Sequence, residues 1–108
     1  MDVKCIQYER SGGFAGITFK ADIQAETLPE PEMETIASLL EETHFMELPA
    51  SLIDEASRPD QFIYTVTVET ITQVHTVITG EESAPEKMQE LLDLLQKIAR
   101  QQARNDIP

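Results

Sequence analysis

A chain of 108 residues that is 41% hydrophobic is sized for one domain with a real core. Its net charge of −12 excludes nucleic acid phosphate and anionic membrane surfaces as natural partners. No apolar run approaches the roughly 18 residues of a membrane span, and a lone Cys5 cannot form an intrachain disulfide.

The charge is unevenly placed. No basic residue falls between Lys20 and Arg58, an interval that holds ten acids. Such a surface keeps a protein soluble, and it also suits a basic protein partner. The opening residues show no basic stretch followed by an apolar one, so a cytoplasmic chain without a secretory leader is expected.

Val3 to Arg10 alternates as a strand, with Lys4, Ile6 and Tyr8 on one face and Val3, Cys5 and Gln7 on the other. Cys5 is expected as a buried, inert thiol. Gly12-Gly13 follows, a pair that permits positive φ, and reads as the tip of a β-hairpin. The returning strand is expected from Phe14 to Ile23, with a bulge or close backbone approach at Gly16. Phe14, at the tip, either folds back on the core or stands out as an anchor.

Pro29 and Pro31 mark a connector and the first turn of a helix running from about Pro31 to Thr43. Met33, Ile36, Leu39 and Leu40 form its apolar face. Pro49 to Asp60 then lacks periodicity. Its apolar pair, Leu52-Ile53, either caps the core or meets a partner.

Gln61 to Glu69 is the clearest strand, with Phe62, Tyr64, Val66 and Val68 opposed to Ile63, Thr65 and Thr67. Val74 to Thr79 is its expected antiparallel partner, with Val74, Thr76 and Ile78 opposed to His75 and Val77. His75 is expected to face solvent. Thr70 to Gln73 contains no Gly, Asn or Pro, which predicts a longer or irregular connection. Ser83-Ala84-Pro85-Glu86 reads as a helix start, with Ser83 as cap and Pro85 in the first turn. Met88, Leu91, Leu92, Leu95, Ile98 and Ala99 form its apolar stripe. Fraying is expected by Gln102, and residues 103–108 as a loose tail.

The order strand, strand, helix, strand, strand, helix predicts a single α+β domain over residues 1–108. Its expected form is a four-stranded antiparallel sheet with both helices packed on one face.

Catalytic machinery is hard to find. His44 and His75 are the only histidines, and with one cysteine they offer no zinc-ligand spacing. GxSxG, HExxH and Walker-type loops are absent from the sequence. No enzyme activity, cofactor or bound metal is expected.

The stretch Tyr8-Glu9-Arg10-Ser11-Gly12-Gly13-Phe14-Ala15-Gly16-Ile17 closely resembles the opening signature of the emfourin, or protealysin inhibitor, family. The likeness continues in Leu48-Pro49, in Pro59 to Glu69, in His75-Thr76-Val77 and in the leucine-rich helix after Pro85. Thr70 to Gln73 departs from it, since relatives often carry glycine there. The resemblance implies an inhibitor of thermolysin-like zinc metallopeptidases that occludes the peptidase cleft, with the zinc belonging to the target. Ser11, Gly12, Gly13 and Phe14 are then candidates for the contact, helped by Leu52 and Ile53. The same hairpin residues could equally serve folding alone. The chain is expected to be a monomer. The competing reading is an acidic interaction or accessory module with no peptidase target.

Overall fold

Alternation along the sequence decides which face of each strand meets the helices. The computed structural model describes residues 3–12, 18–53, 61–80 and 83–105, the last three of these as backbone alone. Strands β1 (Val3–Gly12), β2 (Phe19–Gln24), β3 (Phe62–Thr70) and β4 (Val74–Gly80) form one four-stranded sheet in the order β2-β1-β3-β4. Every neighbouring pair is antiparallel. Helices α1 (Glu30–Glu42) and α2 (Glu86–Asn105) complete the expected ββαββα order.

The register stacks apolar rows across the sheet. Ala21, Tyr8, Val66 and Val77 stand side by side, and Ile23, Ile6, Val68 and His75 form the next row. Ile36, Leu39 and Leu40 of α1 close over this face with Met88, Leu91, Leu92, Leu95, Ile98 and Ala99 of α2. Both apolar stripes are those the helical period predicts. The other face is polar, as in a sheet solvated on one side. Lys20 pairs there with Glu9 at 3.5 Å, Lys4 with Glu69 at 3.9 Å, and the Thr67 and Thr76 hydroxyls lie 2.8 Å apart.

Several expectations need correction. A register shift between Val3 and Cys5 moves Val3 onto the core face, because one extra residue in a strand reverses the alternation beyond it. Cys5 is only half-buried, on the open face, with its thiol 3.9 Å from Glu69 Oε2. Burial first, and then the Glu69 carboxylate, push the thiol above its ordinary value.

Strand β2 begins at Phe19, with Thr18 preceding it outside the strand. Gly12 is still within β1, opposite Phe62 of β3, rather than at a reversal. Gly13, Phe14 and Gly16 lie outside the described residues.

His75 faces inward. Its Nε2 lies 2.7 Å from the Leu48 carbonyl, and Phe45 meets its ring edge-on at 5.9 Å. A carbonyl can only accept, so Nε2 carries the proton. The chain reaches this arrangement through His44, whose φ of 52° ends α1 in the left-handed region.

The connection after β3 is short. Thr70 N–H donates to the Gln73 carbonyl at 2.8 Å. The Thr70 hydroxyl accepts from the Thr72 and Gln73 amides at 3.3 and 3.1 Å and donates to the Gln73 carbonyl at 3.2 Å. A threonine side chain thus supplies the turn bonds that a Gly or Asn turn would otherwise provide.

Helix α2 starts at Glu86, and Pro85 stands before it with its carbonyl accepting the Gln89 amide at 2.9 Å. Ser83 does not cap this helix in the expected way. Its hydroxyl accepts from the Gly80 amide at 3.1 Å and so closes the end of β4. The helix continues through Asn105, beyond the expected fraying point, and Gln102 Nε2 holds the Asp22 carbonyl of β2 at 2.8 Å. No helix of the described residues is long and apolar enough to cross a membrane.

Candidate functional site

Gly12, Gln61, Phe62 and Gly80 meet at one end of the sheet. β1 runs to Gly12, which pairs with Phe62, while Ile63 pairs with Gly80. Gly12 has φ of 97°, and a Cβ on it would sit 2.7 Å from the Gln61 backbone oxygen. Glycine is therefore required twice over, by its backbone angle and by the close approach. A Cβ on Gly80 would meet Gln61 Oε1 at 2.8 Å.

Gln61 is only 4% exposed. Among the described residues, neither its Oε1 nor its Nε2 has a hydrogen-bond partner. Arg10 places its guanidinium 4.8 Å from the centre of the Phe62 ring, within the range of a cation–π contact. These packed groups make the sheet end a firm base for the segments that leave it.

Ser11 and Gly12 are part of this end, with Ser11 opposite Ile63. Gly13 and Phe14 lie outside the described residues. Leu52 and Ile53 sit elsewhere. Ile78 N–H donates to the Ala50 carbonyl at 2.8 Å and Leu52 N–H to the Ile78 carbonyl at 2.7 Å, so residues 50–52 line the outer edge of β4. Leu52 packs against the core, whereas Ile53 is 39% exposed. β3 and β4 stand between these residues and β1, which separates the two sets by roughly 14 Å at the usual strand spacing.

Among the described residues no group of three His, Cys, Asp or Glu is placed to hold a metal.

The sequence model of the Emfourin family matches residues 8–96. The chain belongs to the Emfourin family. Among solved structures, it is similar to emfourin (M4in) from Serratia proteamaculans, an M4 family peptidase inhibitor. The two share 22% identity over 86% of this chain and 88% of the other, with a TM-score of 0.47. No curated protein matches the sequence.

The Emfourin match takes in all six candidate residues, from Ser11 to Ile53, and ends within α2. Gln61, Gly80 and Arg10 were missed as parts of the sheet end. For Arg10 a signal existed, since it continues the Ile6, Tyr8 alternation onto the inner face. Gln61 carries none, because its burial depends on Gly12 and Gly80, which are distant in sequence.

Proposed function

We propose that this emfourin-family chain is a proteinaceous inhibitor of thermolysin-like zinc metallopeptidases that binds the enzyme and occludes its cleft. The family match over residues 8–96 carries the reading. The zinc belongs to the target, and this chain contributes surface rather than catalytic groups.

Ser11, Gly12, Gly13 and Phe14 enter or flank the cleft, and Leu52 with Ile53 provides a second contact. The sheet supports this division. Ser11 and Gly12, paired with β3, lose little conformational freedom on docking, and the roughly 14 Å between the two sets suits two contacts on opposite rims of a groove. Ile53, exposed beside the half-buried Leu52, is the apolar group available at the second contact. The inhibitor acts as a monomer in the cytoplasm.

The test is a titration of purified thermolysin-like peptidases, including the one encoded nearest its gene, after long preincubation. Stoichiometric loss of activity with the chain uncut on a gel is expected. Full activity against all of them would overturn the reading and favour an accessory module without a peptidase target.

A further inference from the structure

Arg10 stands where the sheet otherwise presents apolar groups. The register sets it between Phe19 and Tyr64, on the inner face that carries Ile6 and Tyr8. Across from it, α2 contributes Gln96, Lys97 and Arg100, and together they line a cleft of about 510 Å³. Tyr8 and Tyr64 form part of its wall, and Asp93 is its one carboxylate among the described residues.

The remaining cations explain why this cleft stands out. Lys4, Lys20 and Lys87 are each within 3.9 Å of a glutamate. Among the described residues, Arg10, Lys97 and Arg100 have no carboxylate within ion-pair distance. Among the described residues, a chain of net charge −12 therefore gathers the cations that lack a carboxylate partner at one place, with Arg10 also lying against the Phe62 ring. Lys97 and Arg100 suit the negative end of the α2 dipole, but that does not account for Arg10, which comes from β1. Gln96 adds a neutral donor: its Oε1 accepts from the Tyr8 hydroxyl, and its Nε2 has no acceptor among the described residues.

We propose that this cleft binds a carboxylate presented by an acidic segment of a partner protein. Arg10 and Arg100 offer planar forks that match a carboxylate, and Lys97 adds a point charge. Three cations against Asp93 leave enough charge for one or two carboxylates. The acidic surface outside repels longer polyanions such as nucleic acid. The proposal does not depend on peptidase inhibition.

Both tyrosines of the chain line the cleft and there is no tryptophan, so tyrosine fluorescence reports on this site. The full chain is titrated with end-blocked tetraglutamate, with tetralysine and with inorganic phosphate. Tetraglutamate should give a saturable change and tetralysine none. The double variant Lys97→Gln/Arg100→Gln, altered at exposed positions, should weaken binding by about tenfold or more while keeping its thermal melt. Arg10→Gln should weaken it too. No saturable change with tetraglutamate, or one that survives the double variant, would overturn the proposal. Saturation by phosphate with tetraglutamate silent would overturn the carboxylate assignment.

Discussion

Gly12 and Gln61 pack backbone against backbone: a Cβ on Gly12 would lie 2.7 Å from the Gln61 carbonyl oxygen. Gly12→Ala meets both that clash and a φ of 97° that disfavours any Cβ. The expected cost is about 1–3 kcal/mol, read as a lower urea midpoint. An unchanged midpoint would mean that β1 and β3 separate there without penalty.

The side chain of the same Gln61 leads to an opposite expectation. Its amide is buried and makes no hydrogen bond to any of the described residues. Leaving a polar group so costs roughly 1–3 kcal/mol. Gln61→Met keeps much of the volume and removes the polar atoms, so it should raise the unfolding midpoint. A loss of stability would show that the amide has a role in the folded chain.

The periodic parts of this fold could be read without the structure. Val66, Val68 and the α2 stripe from Met88 to Ala99 announce their buried faces because their periods of 2 and 3.6 are local properties. What was not legible depends on contacts far apart in sequence or on single side chains. Val3 changes face through one register shift, which leaves the composition of β1 unaltered. His75 looked like a solvent residue because its acceptor, the Leu48 carbonyl, belongs to another segment. At the candidate site, the glycine at Gly12 was visible as a position needing freedom. The reason, Gln61, was not. Ile53 was visible as apolar, but its exposure and its distance from β1 required the strand order.

Thr70 offers a direct check on the β3–β4 turn. Its hydroxyl makes three bonds within the turn, two accepted and one donated. Thr70→Ala removes all of them and should cost about 1–2 kcal/mol. Thr70→Ser retains the hydroxyl and should recover most of that loss. Equal stability of the alanine and serine variants would place the turn's stability in the backbone bond from Thr70 to Gln73 alone.

Tyr8 sets an alkaline limit. Burial first, and the neighbouring Tyr64 second, push its phenol well above the ordinary value of 10.0. The folded chain therefore holds this proton at pH values where the unfolded chain has released it. Its contribution is complete below about pH 10 and is lost as pH rises through the folded-state value. Tyr8→Phe should flatten the fall in stability above about pH 10. At neutral pH it should cost about 0.5–1.5 kcal/mol through the lost bond to Gln96. Urea midpoints across pH test both effects, and an equally steep alkaline fall in the variant would assign it to other groups.

Ile53 separates docking from folding most cleanly. It is exposed, and among the described residues its amide donates to Ser51 Oγ, at 3.3 Å, so a polar substitution there leaves the core intact. Leu52, packed against the core, cannot be tested so simply. Ile53→Asp should keep the wild-type melting temperature. If residues 52 and 53 meet the peptidase, a buried charge at this point should raise the inhibition constant by about tenfold or more. Unchanged inhibition by a folded Ile53→Asp would remove the second contact and confine docking to the β1 end. That result would leave Ser11 to Phe14 as the segment to vary next. A loss of inhibition with the fold retained would instead establish that the enzyme is held at two places across the width of the sheet.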